Sequence, residues 1–265
     1  LQYQRRQHHR VRLEITTKEF DPILMLDSFD SINPDDYTAG FPMHPHRGIE
    51  TISYVSRGKM VHRDSLGNEA GISDGEVQWM NSGSGIMHEE MVPAAERLLG
   101  VQLWLNLPAK DKMSKPSYNS IKNEDIKEIE IEGGKIRLLA GKYGEHEGYK
   151  GDYLSMDYYD IHLNADAEVT LTMEEDDSVM VFTLLGDVYI DGEHIEEKTA
   201  VKLTEGDSLT IKNGNEKAQV LYMNSRALNE PVAWAGPIVM NTQEELQKAF
   251  LELRSNTFIK ETAEY

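Results

Sequence analysis

The sequence predicts an all-β protein: two tandem β-barrels of jelly-roll type, closed by a short C-terminal helix. Three observations carry this. Short runs rich in β-branched and aromatic residues recur along the chain, punctuated by glycine turns. The pattern of the first half returns in the second. The chain then closes with Thr242-Gln243-Glu244-Glu245, a capping box at a helix start.

In chain order, Asp21 to Asp27 reads as a short buried strand bounded by turn formers, and Asn33-Pro34-Asp35-Asp36 reads as a loop. Ile49 to Val55 is strand-like, Arg57-Gly58 turns, Lys59 to Arg63 returns, and Leu66-Gly67-Asn68 turns again. Asp74-Gly75 leads into the alternating run Glu76 to Met80, and Ser82-Gly83-Ser84-Gly85 is a tight turn into another strand. Leu98 to Leu107 is the longest apolar strand. From Pro108 to about Asp125 the chain turns polar, which marks an inter-domain connection. The expected division is therefore 1–115 for the first barrel and 116–265 for the second. The helix is expected at about 242–254, with Leu246, Phe250 and Leu253 on one apolar stripe.

The duplication is read from matching glycines. Gly186 follows Gly58 by 128 residues, and Gly206 follows Gly75 by 131, each within a similar strand pattern. Those offsets place Thr172 and Glu174 opposite His44 and His46, and Gln219 and Leu221 opposite His88 and Glu90. Only the first barrel is expected to carry a site.

Composition narrows the chemistry. The 265 residues are 39% apolar, enough for packed cores, and carry a formal charge of −19, which opposes contact with phosphate backbones. There is no cysteine, so disulfides, thiol nucleophiles and thiolate metal ligands are excluded. Any metal must be held by nitrogen and oxygen. No apolar run approaches a membrane span and no signal-peptide pattern opens the chain, so a cytoplasmic location is expected, and the chain is separately expected to be a monomer. The chain opens on Leu1 rather than Met, so a short preceding piece is expected. Gln4 to Arg10 reads as a solvated basic arm, in which the adjacent His8 and His9 point apart.

Against that background two pairs stand out. His44 and His46 are two residues apart in Phe41-Pro42-Met43-His44-Pro45-His46-Arg47-Gly48, and His88 and Glu90 are two apart in Met87-His88-Glu89-Glu90-Met91. On extended backbone each pair shares a face. Facing each other inside a barrel, they supply three imidazoles and a carboxylate around one point. Glu50 competes with Glu90 as the carboxylate. His62 and Asp64 share a face of a return strand, as a hydrogen-bonded pair or as support for a ligand. Phe41, Met43 and Met91 are candidates for the wall of an aromatic-substrate pocket. His146, His162 and His194 lack partners at ligand spacing.

His-x-His followed by His-x-Glu among glycine-punctuated strands is the cupin arrangement. The chain more closely resembles the pirin family, in Phe20-Asp21-Pro22-Ile23-Leu24-Met25-Leu26-Asp27, in His44 to Thr51, in Gln78 to Met91, and in Glu230 to Thr242. Ala235 and Asn81 depart from the usual pattern without touching a ligand. The resemblance implies a bicupin with one mononuclear metal bound by His44, His46, His88 and Glu90. It favours Glu90 over Glu50, leaving Glu50 to orient an imidazole. The implied ion is Fe2+, with Mn, Ni, Co, Cu and Zn as alternatives. The implied activity is dioxygenase cleavage of quercetin-type flavonols with O2, with Glu90, or Glu50 nearby, as general base. The alternative implied by other pirins is a non-enzymatic, iron-binding regulatory protein with a protein partner.

Overall fold

A computed structural model describes residues 10–14, 17–203 and 206–261, and the arm holding His8 and His9 lies outside them. The first-half strands are β1 (Arg10–Glu14), β2 (Ile23–Ser31), β3 (Phe41–His46), β4 (Ile49–Arg57) and β5 (Lys59–Asp64). They continue with β6 (Glu69–Ser73), β7 (Glu76–Asn81), β8 (Ile86–Met91), β9 (Leu98–Asn106) and β10 (Ser117–Ile121). One sheet has the order β1-β2-β9-β4-β7-β10 and the other β3-β8-β5-β6. Alternation decides what points inward. Along β8, Ile86, His88 and Glu90 are buried while Met87, Glu89 and Met91 are less so.

The second-half strands are β11 (Lys127–Ile131), β12 (Gly134–Ala140), β13 (Lys142–Tyr143), β14 (His146–Glu147), β15 (Met156–Leu163) and β16 (Glu168–Thr172). After them come β17 (Asp177–Leu185), β18 (Val188–Ile190), β19 (Glu193–Ile195), β20 (Ala200–Lys202), β21 (Ser208–Asn213) and β22 (Ala218–Arg226). Here the sheets run β11-β12-β15-β22-β17-β20 and β16-β21-β18-β19. The stretch β15-β22-β17-β20 has the connectivity of β2-β9-β4-β7, and β16-β21-β18-β19 that of β3-β8-β5-β6. The duplication is topological as well as sequential.

The strand order corrects the residue correspondence. β21, not β22, is the counterpart of β8, so Gln219 and Leu221 lie on the counterpart of β9, in the other sheet from the equivalents of His88 and Glu90. Within the first hairpin the offset of 128 holds, so His62 matches Ile190. His62 pairs with Glu90, and Ile190 pairs with Ile211. Two residues along, His88 matches Leu209, and its cross-strand partner His44 matches Leu171. Leu171, Ile190, Leu209 and Ile211 are all buried in one apolar cluster. Where the first barrel places imidazoles and a carboxylate, the second is filled with hydrocarbon. The offset of 131 failed because Gly75 lies before β7, whereas Gly206 lies after β20, the counterpart of β7.

The domain boundary also differs from the expected one. Asn123–Ala227 forms one unit, while Ile23–Lys122 and the segment from Leu228 onward form the other. That segment holds β23 (Ala233–Ala235), β24 (Ile238–Met240) and α1 (Gln243–Arg254). The helix matches the expected range and its capping box is formed, Thr242 Oγ1 accepting from Glu245 N. Its apolar stripe packs on the β23-β24 hairpin and Phe258, and that hairpin in turn packs on the first barrel. Val239 packs with Leu24, Met25, Ile49 and Trp104, and Val239 N donates to Arg47 O at 3.1 Å. Among the described residues no helix is long and apolar enough to cross a membrane.

Candidate metal centre

Three strands converge on one buried point. On β3, His44 lies directly across from His88 of β8, and β5 lies on the other side of β8 with Asp64 opposite His88. The ligand atoms of His44, His46 and His88 all fall within 4.8 Å of one another. The imidazole centroids are 4.3 to 5.0 Å apart. The turn from β3 into β4 is set by Gly48, whose φ of +79° is the left-handed region open to glycine.

Each imidazole has one nitrogen committed to an anchor. His44 Nδ1 lies 2.8 Å from Pro42 O, and His46 Nδ1 lies 3.1 Å from Pro237 O. Carbonyl oxygens only accept, so both Nδ1 atoms carry hydrogen and both Nε2 atoms present lone pairs. Those two Nε2 atoms are 3.0 Å apart. His88 Nε2 is buried and has no hydrogen-bond partner. Three inward nitrogen lone pairs with nothing between them repel one another in a protein alone. A cation resolves the arrangement. Two nitrogens each about 2.1 Å from one ion, at right angles, lie about 3.0 Å apart. Imidazole donors suit iron, nickel, copper or zinc. The residues fit a metal.

The electrostatics keep His46 and His88 neutral. Burial, reinforced by the charge of His44, lowers the His46 imidazole from 6.5 to about 3, against the opposing bond to Pro237. Burial likewise holds His88 well below its ordinary value, with His46, His44 and His62 adding to it. A site that resists protonation keeps its lone pairs available.

Glu90 is not among the group whose ligand atoms lie within 4.8 Å of one another. It is fully buried two residues from His88, and its carboxylate is held from the opposite sheet. Gln102 Nε2 donates to Oε1 and Oε2 at 3.1 and 3.0 Å, and Gln78 Nε2 donates to Oε1. Oε1 thus carries two hydrogen bonds and Oε2 one. Burial pushes the Glu90 carboxyl up, outweighing the bonds from Gln102 and Gln78 and the charges of His62 and His44. Glu50 is buried on β4, where its Oε1 accepts from Trp79 Nε1 at 3.0 Å.

Other residues singled out by the sequence fall into place. His62 and Asp64 form a buried pair, Nε2 to Oδ2, at 2.8 Å. Met43 is half exposed, whereas Phe41 packs against the cluster around Phe29 and Met60. His162 and His194 bond to Asp160 and Asp187 respectively. Three contributors escaped the sequence reading. Gln102 is an amide in the middle of an apolar strand, a readable sign of a buried polar role. Gln78 and the Pro237 carbonyl carried no comparable mark.

Comparisons with known proteins agree with this architecture. The pirin family model matches residues 3–105, and the pirin C-terminal cupin domain matches residues 158–259. Human pirin is 36% identical over 248 residues, covering 90% of this chain and 83% of its own length. A crystal structure of quercetin 2,3-dioxygenase from Acinetobacter baumannii superposes with a TM-score of 0.83 at 33% identity, covering 91% of this chain and 87% of that one. A bacterial pirin from Escherichia coli, solved in complex with nickel(II), shares the fold with a TM-score of 0.61 at 21% identity, over 78% and 83% of the two chains. With both halves matched in order, the chain belongs to the pirin family.

Proposed function

We propose that this protein is a metal-dependent dioxygenase that cleaves quercetin-type flavonols with O2 at one mononuclear centre in the first barrel. The observation that carries the reading is the trio of inward imidazoles His44, His46 and His88, two of them, His46 and His88, held neutral by burial. The likeness to a quercetin 2,3-dioxygenase across nearly the whole chain supports the substrate class.

In this reading the three histidines hold a divalent ion, Fe2+ first, and Glu90 completes the set. When bound, such an ion supplies a Lewis acid that makes a flavonol 3-hydroxyl more acidic. Glu90 then takes the hydroxyl proton at Oε2, the oxygen with hydrogen-bonding capacity to spare. Its raised proton affinity suits that task. Gln102 and Gln78 fix the carboxylate's direction, so the base is already positioned when substrate enters. Burial of His46, His88 and Glu90 keeps competing water away from the activated substrate.

The test is oxygen uptake and quercetin loss with protein reloaded anaerobically with Fe2+. The wild type is expected to consume both, with release of carbon monoxide. The apo protein and His44→Ala are expected to show none. Equal consumption by all three, or consumption by none, rules the activity out.

A further inference from the structure

The remaining nitrogen of His88 points to a chain of residues behind the site. Asp64 Oδ1 accepts from Leu66 N at 2.9 Å and Asn68 N at 3.1 Å, and Oδ2 accepts from Asn68 Nδ2 at 2.9 Å and His62 Nε2 at 2.8 Å. A carboxylate surrounded by donors is acceptor-only, so His62 carries hydrogen on Nε2. In neutral His62 that leaves Nδ1 as a bare lone pair. His88 Nδ1 lies 3.3 Å from it, and the contact is bonding only if His88 supplies the hydrogen. His88 Nε2 is then the free lone pair, and this is the atom with no protein partner. The side chains of His62 and Asp64 are wholly buried, and Tyr118 stacks on His62 at 4.0 Å with an interplanar angle of 11°, fixing the ring plane.

We propose that Asp64 and His62 are positioning residues, a relay that keeps the proton of His88 on Nδ1 and so presents Nε2 for metal binding. The inference rests on reading His44, His46 and His88 as a metal centre. It adds that the tautomer of the third ligand is dictated two residues away. A carboxylate acting on a ligating imidazole through a second imidazole obeys the same logic as a direct carboxylate contact.

Asp64→Asn tests it with little change of shape. The Oδ1 bonds to the Leu66 and Asn68 amides remain, but an amide N–H faces His62 Nε2. His62 must then accept there and carry its hydrogen on Nδ1, which forces His88 into the Nε2–H form. Two readouts follow. Long-range proton–nitrogen NMR of metal-free protein is expected to show His88 as the Nδ1–H tautomer in the wild type and shifted to Nε2–H in Asp64→Asn. Calorimetric titration with Ni2+ alone is expected to show binding weakened about 10- to 100-fold in the variant. His62→Phe, which leaves the Asp64 loop bonds in place, is expected to weaken Ni2+ binding similarly if Asp64→Asn fails to fold. Arg63→Ala, on the outward face of the same strand, is expected to change neither readout.

A wild-type His88 in the Nε2–H form overturns the relay, as does unchanged Ni2+ affinity in folded Asp64→Asn and His62→Phe. If the wild type binds no Ni2+ but shows the tautomer switch, the relay stands and the metal reading falls.

Discussion

His46 Nδ1 and the carbonyl oxygen of Pro237 lie 3.1 Å apart, although 191 positions separate them in the chain. The segment after the second barrel returns to the first and fixes the direction of one of the three imidazoles. Integrity of the centre therefore depends on how that segment is held.

Gly48 is one point of attachment. A Cβ there would run into the Val239 carbonyl oxygen, and its φ of +79° costs other residues about 1–2 kcal/mol. Lys112 Nζ ties the same place together, bonding Gly48 O at 2.7 Å and Val239 O at 3.1 Å. Gly48→Ala is expected to lower the midpoint of thermal unfolding. It is also expected to weaken metal binding about tenfold, because displacing Val239 shifts the Pro237 carbonyl.

Arg47 is the second attachment. It is 2% exposed, donates to Ser84 O at 2.7 Å and Phe258 O at 2.9 Å, and pairs with Glu252 at 2.8 Å. Its guanidinium also lies 4.2 Å from the centroid of the Phe258 ring. Removing one partner of such a buried network costs about 3–5 kcal/mol. Arg47→Ala is expected to lose that much stability by urea unfolding, with hydrogen-exchange protection falling first in α1. Unchanged protection would show that the segment is held without it.

The buried imidazoles make stability depend on pH. His46 titrates at about 3 in the native state against an ordinary 6.5, because burial and then His44 disfavour its charge. Between those values the unfolded chain binds a proton that the native one refuses. Stability therefore rises with pH across that window and is complete above 6.5. In metal-free protein the urea midpoint is expected to be lower at about pH 5 than at about pH 7. His46→Gln should flatten the slope.

Glu90→Gln separates binding from proton transfer. The substitution keeps the volume but removes the ability to accept a proton. Flavonol consumption is expected to fall about 10²–10⁴-fold, the range for loss of a general base. Metal should still bind through His44, His46 and His88, more weakly for loss of the Glu90 carboxylate, so activity is compared per bound ion. A variant with full activity would remove Glu90 from the chemistry.

What the sequence displayed depended on where the information lay. His44 and His46 were legible because alternation on a strand is a local property, and so was the pairing of His62 with Asp64. The helix at Gln243–Arg254 was legible from its cap and stripe. The place of that helix was not, because Arg47 to Glu252 and Val239 to Trp104 are long-range contacts with no periodic mark. Glycine spacing shows the duplicate barrel, but its residue register needs strand order, since Gly75 precedes β7 while Gly206 follows β7's counterpart, β20. Pro237 contributes a backbone oxygen, to which side-chain identity gives no clue.

In the proposed function His44, His46 and His88 together hold one metal ion. Elemental analysis of protein reloaded with Fe2+ under anaerobic conditions measures this. One ion per chain is expected in the wild type and none in the variant with all three histidines changed to alanine and the fold intact. Equal metal content in the two proteins would contradict it.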